Sequence, residues 1–214
     1  MKNNNKDHLF DIYGIEEALA SKGYKYIAGC DEAGRGPMAG PLVVAGCILP
    51  IGIKIPYCND SKKVSPKRRE ELFDYIKEIA IDYYIDIISV EDVDRLDPYH
   101  ASKLGMENCI NHLKKVDYVL TDAMKIDTMV PYESIIKGDS KSVSIASASI
   151  LAKVTRDRIM DELDKIYPMY GFSKHKGYVT KLHRENLIKY GVSPIHRKSY
   201  APVAIEIEKE NYLK

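Results

Sequence analysis

The stretch AGCDEAGRGPMAGP, residues 28–41, runs from an apolar segment through two adjacent acids into a turn rich in glycine and proline. Short apolar segments stand on both sides, YKYIAGC (24–30) and LVVAGCIL (42–49), and predict two buried strands. Asp31 and Glu32 are therefore expected to follow the first strand directly, at the mouth of the turn. Such a turn with paired acids is a candidate for chemistry.

Alternating helices and strands follow this stretch. Ser65 is a suitable N-cap and Pro66 a suitable first helical residue, which together predict a helix through KRREELFDYIKEIA. Further strands are predicted at 82–89, 117–123 and 133–139, and further helices at 98–115 and 140–167. The order predicts an α/β architecture built on a mixed sheet.

The composition is that of an ordinary globular protein. With 214 residues, 45% of them hydrophobic and 29% charged, the chain 1–214 is expected to form a single domain with a substantial core. No apolar run approaches the roughly 20 residues that span a membrane, and the N-terminus has no signal-peptide core. Four cysteines without C-x-x-C or zinc spacing favour free thiols, so we expect a cytoplasmic protein.

Charge is distributed unevenly along the chain. The net charge of +1 argues neither for nor against a nucleic-acid partner. Basic residues cluster at 61–69, 173–184 and 196–198. Such clusters are usually solvated faces, but three of them that include Tyr and His also fit a surface that follows phosphates.

Three predicted strands bring four carboxylates to strand ends: Asp31 and Glu32 after one, Asp122 and Asp139 at the ends of two others. Each acid alone is as readily a cap or turn residue. Several acids at one sheet edge repel one another unless they share a proton or hold a divalent cation. Oxygen ligands without His or Cys suit Mg²⁺ or Mn²⁺, and two such ions form a clamp for attack on a phosphodiester.

Five motifs carry a resemblance to a known family: AGCDEAGRGPMAGPLVVAG, DSKKVSPKRREEL, IIKGDSKSVSIASASILAKVTRDR, YGFSKHKGY and SPIHRKSYAPV. In order and spacing they resemble the motif series of ribonuclease HII, the type 2 ribonuclease H family, from about residue 22 to 203. The resemblance implies a ribonuclease H-like fold, with a central mixed five-stranded sheet flanked by helices. It also implies an N-terminal helical segment (1–22) and a helical C-terminal substrate-binding extension (about 168–214).

The resemblance further implies which residues act. Asp31, Glu32, Asp122 and Asp139 would form the catalytic metal-binding quartet, holding two Mg²⁺ or Mn²⁺ ions. Asp31 would be the ligand best placed to bridge them.

The same family pattern identifies a recognition turn and a tyrosine. In this turn Gly34 and Gly36 lack a Cβ, which allows a positive φ and also lets their backbone approach the 2′-hydroxyl of a ribonucleotide. Arg35 would contact phosphate or sugar, or would pair with a neighbouring acid. Tyr178 in HKGY would sense the junction between ribose and deoxyribose. Ser61, Lys62 and Lys63 are expected to bind phosphates of the DNA strand, although a solvated loop before a helix cap would look the same.

The implied activity is a metal-dependent endonuclease that cleaves the RNA strand of RNA–DNA hybrids and incises 5′ of single ribonucleotides in duplex DNA. It would leave 3′-hydroxyl and 5′-phosphate ends and serve ribonucleotide removal and primer removal, as a monomer without membrane association. Two alternatives keep the fold: ribonuclease HIII-like activity on RNA runs, and a structure-selective nuclease. A third is a non-hydrolytic nucleotide-binding module, although the P-loop and dinucleotide fingerprints are absent.

Overall fold

The computed structural model describes residues 12–212 of the chain. The strands are β1 (Ile27–Ala33), β2 (Leu42–Ile48), β3 (Asp82–Ile88), β4 (Tyr118–Asp122) and β5 (Tyr132–Ile135). The helices are α1 (Gly14–Ser21), α2 (Pro66–Ile79), α3 (Val90–Leu96), α4 (Pro98–His112), α5 (Val143–Ile166), α6 (Phe172–His175), α7 (Lys181–Tyr190) and α8 (Ala201–Tyr212). Residues 1–11 of the predicted N-terminal segment, and 213–214, lie outside the described residues.

The five strands form one mixed sheet in the order β3, β2, β1, β4, β5. β1 and β4 are parallel, with Cys30 opposite Thr121, and β4 and β5 are parallel as well. The predicted five-stranded mixed sheet flanked by helices is therefore confirmed. β1 and β4 run in the same direction, and Asp31 and Asp122 directly follow the opposed residues Cys30 and Thr121. The two aspartates therefore lie at the same, carboxyl-terminal end of the strands.

Two predicted strand boundaries were wrong. β1 continues through Asp31 and Glu32 to Ala33, so the two acids belong to the strand and not to the turn. β5 ends at Ile135, and Asp139 lies four residues later in a 3₁₀ helix, Gly138–Ser140. The sequence pattern did not reveal this turn because its backbone depends on Lys137, a non-glycine residue with φ of +57°.

Helix capping agrees better with the sequence. The Ser65 side chain accepts a hydrogen bond from the Arg68 amide at the start of α2, as its position before Pro66 predicts. The seven-residue helix α3 was not predicted; its N-cap, Ser89, accepts from the Asp92 amide.

The described chain divides into two compact units. The first consists of 12–33, 44–86 and 103–154, and thus holds nearly all of the sheet. Its core includes an apolar cluster of Leu19, Ile27, Leu120, Ile135 and Ile145. At Gly29 of β1 a Cβ would lie 2.1 Å from the main chain of Ser144, so the small residue lets α5 pack directly on the strand.

The second unit consists of 34–43, 87–102 and 155–212. Its apolar clusters form around Phe172 with Met160 and Tyr170, and around Leu187 with Val203. Ala39 and His196 form an isolated antiparallel bridge that ties the segment after the glycine turn to the C-terminal part of the chain. The predicted single domain over 1–214 stays a prediction.

Candidate active site

Three of the predicted carboxylates meet in the first unit. One oxygen from each of Asp31, Asp122 and Asp139 lies within 4.8 Å of the others. Asp31 is 5% exposed and Asp139 is 8% exposed, while Asp122 is half-buried. We call these three residues the acidic cluster. Only carboxylate oxygens contribute to it, which is the donor set that a hard divalent cation prefers.

In the acidic cluster, negative charge outweighs the positive charge that the described residues supply. Burial and the charges of Glu32 and Asp122 raise the pKa of Asp31 well above its ordinary value. Burial and the charges of Asp60 and Asp122 raise the pKa of Asp139 to about 6. Both shifts disfavour the ionised form. A bound cation would reverse this penalty, so the residues present fit a metal site.

Glu32, the fourth predicted ligand, lies beside the acidic cluster and is half-buried. Its amide donates to Asp31 Oδ1 at 2.7 Å, and its carboxylate is close enough to raise the pKa of Asp31. The structure therefore brings the fourth carboxylate near the other three, although it does not share their tight grouping of oxygen atoms.

The main chain orients the acidic cluster. Asp122 Oδ1 accepts a hydrogen bond of 2.8 Å from the amide of Gly138, the residue before Asp139. A Cβ at Gly138 would lie 2.5 Å from Ile145 Cδ1, so the end of that side chain would have to move to accept a larger residue. The Ser142 amide donates to the Gly138 carbonyl and continues the turn into α5. One short turn thus fixes both Asp122 and Asp139.

Sequence reasoning missed a carboxylate beside the acidic cluster, Asp60 in the loop before α2. Its charge is the largest electrostatic contribution to the raised pKa of Asp139 after burial, and a hydrogen bond joins the two side chains. Asp60 Oδ1 also accepts from the Lys62 amide at 2.9 Å. The residue stands at the start of the motif DSKK, where only the following serine and lysines were singled out.

The three residues predicted to contact phosphate differ in placement. Lys62 and Lys63 are exposed, and the charge of Lys62 lowers the pKa of Asp139, which places this lysine near the acidic cluster. The Ser61 side chain is buried, with its Oγ 2.9 Å from Ser149 Oγ. Ser149 also hydrogen-bonds Asp31. The Ser61 hydroxyl therefore links the loop to the acidic cluster.

In the second unit, the two glycines of the recognition turn (Gly34, Arg35 and Gly36) have different environments. Gly34 has φ of +106°, and a Cβ there would lie 2.3 Å from Arg156 Nε. At Gly36 an added Cβ would come within 4 Å of the Tyr178 ring, with Cε1 3.7 Å away, and of no other described residue apart from its chain neighbours. The structure thus brings Gly36 and Tyr178 together, while the space beside Gly34 is filled by the protein itself.

Two buried arginines support the segment that contains the recognition turn. Arg156 donates to the carbonyls of Pro41, Lys176 and Ala39 at 2.9, 2.9 and 3.1 Å. Burial lowers its pKa to about 10, so it remains a cation at neutral pH. Full burial of an arginine is rare unless its donors are satisfied, and here main-chain oxygens satisfy them.

The second arginine, Arg197, reaches the recognition turn directly. Its Nε donates to the Gly40 carbonyl at 2.9 Å, and its Nη1 lies 3.4 Å from the Arg35 carbonyl. The Tyr200 hydroxyl also donates to the Arg35 carbonyl. The main chain of Arg35 is therefore fixed from two sides. Arg197 belongs to the basic cluster 196–198, so this member of the cluster is buried and not part of a solvated or phosphate-following face.

Among the helices of residues 12–212, none is long and apolar enough to cross a membrane.

Comparisons with known proteins agree with the motif series. The sequence profile of the family described as Ribonuclease HII matches residues 28–203. A protein named Ribonuclease HII from Clostridioides difficile (strain 630) is 54% identical over 197 residues, covering 91% of this chain and 77% of that protein. Another of the same name, from Bacillus cytotoxicus, is 49% identical over 199 residues, covering 92% and 77%. The crystal structure of ribonuclease H2 from Pyrococcus horikoshii OT3 is similar with a TM-score of 0.70 and 26% identity, covering 86% of this chain and 98% of that one.

Proposed function

The chain belongs to the ribonuclease HII family, and on this basis we propose that it is a metal-dependent endoribonuclease acting on RNA–DNA hybrids and on single ribonucleotides in duplex DNA. The observation that carries the proposal is the acidic cluster of the first unit, whose three carboxylate oxygens lie within 4.8 Å of one another. Cleavage falls on the 5′ side of the ribonucleotide and leaves 3′-hydroxyl and 5′-phosphate ends.

Asp31, Asp122 and Asp139, with Glu32 beside them, are proposed to hold two divalent ions, Mg²⁺ or Mn²⁺. When bound, such ions activate water and stabilise the leaving oxygen of an in-line displacement. The raised pKa values of Asp31 and Asp139 support this assignment, because the chain itself supplies too little positive charge to the acidic cluster. Asp60 adds a further negative charge at its edge.

The protein's own contribution to the reaction is to fix these carboxylates before the substrate arrives. Asp31 accepts from the Glu32 amide and from Ser149, and Asp122 accepts from the Gly138 amide. Fixed ligands need no reorganisation during the reaction, which is where electrostatic catalysis gains most. Water is the nucleophile, because the ribose 2′-hydroxyl is held for recognition and the metal mechanism needs no internal nucleophile.

Recognition of the ribonucleotide is proposed for the turn of the second unit. Gly36 leaves its backbone open on the side of the Tyr178 ring, so a sugar can approach there without meeting a Cβ. Gly34 acts differently: its missing Cβ makes room for Arg156, so its role is to shape the turn. Arg35 is proposed to contact phosphate or sugar through its side chain, while its carbonyl stays anchored by Tyr200.

Lys62 and Lys63 are proposed to bind phosphates of the DNA strand, because both are exposed on the loop that meets the acidic cluster. Ser61 would reach a phosphate only through its main chain, since its hydroxyl is bonded to Ser149. We further propose that 1–214 acts as one catalytic domain in the cytoplasm, as a monomer, with the helical part from about residue 168 onward contributing to substrate binding.

The test is cleavage of three matched duplexes in Mg²⁺ or Mn²⁺: one with a single ribonucleotide, one RNA–DNA hybrid, and one of DNA alone. We expect cuts on the first two, none on the third, and no cleavage with EDTA. Cleavage of the hybrid alone would indicate an enzyme restricted to RNA runs, as the ribonuclease HIII-like alternative requires. Cleavage of the all-DNA duplex would indicate a structure-selective nuclease, and binding without cleavage of any duplex would contradict an enzyme.

A further inference from the structure

The second unit contains three buried histidines that the proposed mechanism does not use. His175, His183 and His196 are 8%, 0% and 1% exposed. The rings of His175 and His183 are stacked with centroids 4.2 Å apart, and those of His183 and His196 are 5.2 Å apart. The Phe172 and His183 rings are perpendicular, with centroids 5.4 Å apart. Polar rings buried in this way must be hydrogen-bonded, so their partners define what they do.

The hydrogen bonds form a chain with one consistent set of proton positions. His196 Nδ1 accepts from the Ser193 amide at 3.0 Å, so the neutral ring carries its proton on Nε2. That nitrogen lies 3.1 Å from His183 Nε2 and donates to it. The proton of neutral His183 is then on Nδ1, which donates to the Tyr178 carbonyl at 2.9 Å. The chain therefore starts at Ser193 and ends on the tyrosine.

The His183 and His196 rings must both remain neutral for these hydrogen bonds to form. Burial lowers the pKa of His183 to about 4 and that of His196 to about 3, and each of these two values is lowered further by a neighbouring histidine. The charge of His175 acts on His183 in this way, while Asp164 faces His175 and favours its charged form. A protonated His183 would present an N–H to the N–H of His196 across 3.1 Å.

This series of hydrogen bonds stabilises a turn whose backbone would otherwise be unfavourable. Lys176 has φ of +51° and Gly177 has φ of +84°, so two consecutive residues are left-handed immediately before Tyr178. This conformation is sterically unfavourable for a residue with a Cβ such as lysine. The Tyr178 amide donates to the His175 carbonyl, and the Tyr178 carbonyl accepts from both His183 and the Thr180 amide. Every main-chain polar atom of the tyrosine is thereby fixed, while its side chain remains 42% exposed.

We propose that His183, itself oriented by His196, is a positioning residue that fixes the Tyr178 ring beside Gly36 and so sets the preference for an isolated ribonucleotide over a run of RNA. This inference rests on the proposed role of Tyr178. It assigns His183 no contact with the substrate. Its effect passes through one hydrogen bond, from Nδ1 to the Tyr178 carbonyl.

The test compares initial rates on the single-ribonucleotide duplex and on the RNA–DNA hybrid, and uses the ratio of the two rates. His183→Leu removes the donor, and we expect it to lower this ratio by about three- to tenfold, as for loss of one hydrogen bond. His183→Asn keeps a donor near the position of Nδ1 and should restore most of the ratio. In a Tyr178→Ala background, His183→Leu should cause no further change in the ratio.

Controls separate positioning from general folding. His112→Leu removes an exposed histidine whose Nδ1 also bonds a carbonyl, that of Asn108, and should leave the ratio unchanged. Circular dichroism and thermal unfolding report the folded fraction of each variant. If His183→Leu does not fold, His196→Asn, which loses the Nε2 donor, replaces it in the same comparison.

Two outcomes overturn the inference alone. In one, His183→Leu loses rate equally on both substrates; in the other, the ratio changes in Tyr178→Ala and not in the His183 variants. An unchanged ratio in Tyr178→Ala itself overturns the proposed role of the tyrosine, and the inference with it. The Tyr178→Ala variant by itself therefore distinguishes the two failures.

Discussion

The acidic cluster of the first unit and the recognition turn of the second unit handle buried charge in opposite ways. In the cluster, carboxylates of like charge are held together and raise the pKa of Asp31 and Asp139. In the second unit, the buried Arg156 donates to three carbonyls, and the buried, neutral His183 and His196 are bonded to each other. The first region needs a cation to balance its negative charge, whereas the buried cations of the second are held mainly by hydrogen bonds within the protein; among the described residues, Arg197 Nη2 is an exception and has no partner.

The two regions differ in which substitutions should separate activity from stability. Removing a charge from the acidic cluster relieves a repulsion, so it should harm catalysis and spare the fold. Changing the support of the recognition turn breaks satisfied hydrogen bonds or packing, so it should harm the fold as well. Substitutions in the acidic cluster should therefore leave stability unchanged or raise it, whereas substitutions in the support of the recognition turn should lower it.

The largest expected effect is on the acidic cluster. Asp139→Asn should lower the cleavage rate by about 100-fold or more, because a metal site contributes several kcal/mol to the transition state and each ~1.36 kcal/mol is a factor of ten. Binding of the uncut duplex should change little, since the basic surface is untouched. Single-turnover rates in Mg²⁺ and binding in Ca²⁺ or EDTA measure the two quantities.

The same variant tests the electrostatic side of the comparison. In EDTA, Asp139→Asn should unfold at a higher temperature than the wild type, because a repelled carboxylate has been removed. Asp74→Asn, an exposed acid on α2, serves as the control and should change neither rate nor unfolding temperature. A wild-type cleavage rate for Asp139→Asn would remove this residue from the proposed ligands.

Next in size is the contrast between the two glycines of the recognition turn. Gly34→Ala should destabilise the protein by about 2–4 kcal/mol, because its φ of +106° is unfavourable for alanine and its Cβ would meet Arg156. Gly36→Ala meets only the Tyr178 ring at 3.7 Å and should leave stability nearly unchanged while slowing cleavage. Urea unfolding and initial rates on the single-ribonucleotide duplex measure the two effects; equal destabilisation by both would break the contrast.

Tyr178 is expected to act on the substrate and not on the fold. Tyr178→Ala should slow cleavage at isolated ribonucleotides by about tenfold or more, since packing of an aromatic ring on a nucleotide contributes about 1–3 kcal/mol. Tyr178→Phe should do less harm because the ring survives. Initial rates of both variants on the two substrates test this, and equal losses on both would assign the tyrosine to general positioning.

The sequence predicts most of the sheet and part of the acidic cluster for clear physical reasons. Buried strands have a short-range apolar pattern, and Asp122 ends β4 as predicted because its strand is bounded by turn residues. The pattern places Asp139 on a strand because its left-handed turn has no glycine at position 137 to signal it. The contacts of Asp60 with Asp139 and of the buried Arg156 with Ala39 could not be predicted, since these partners are far apart in the sequence.

A smaller effect is expected at the edge of the acidic cluster. Lys62→Ala with Lys63→Ala should weaken binding to all duplexes alike and lower the slope of log affinity against log salt by about 1–2 units, one for each phosphate that is no longer neutralised. The control Lys22→Ala with Lys25→Ala makes the same charge change at another exposed site of the first unit. If the slope stays the same while the cleavage position moves, these lysines do not bind phosphate.

The smallest expected effect is on the pH dependence of the free energy of unfolding, which reports whether His183 of the second unit is held neutral. The pKa of His183 is lowered to about 4, whereas an unfolded histidine titrates near ~6.5. The unfolded chain therefore binds more protons between these pH values, so this histidine's contribution to stability is full above about 6.5 and is lost as pH falls toward 4. His183→Leu removes this group, so the free energy of unfolding should decline less steeply as pH falls. The difference in slope should correspond to at most about one bound proton. Urea unfolding at about pH 7, 6 and 5 measures the slope, and a decline as steep as that of the wild type would mean that this ring is not held neutral by the fold.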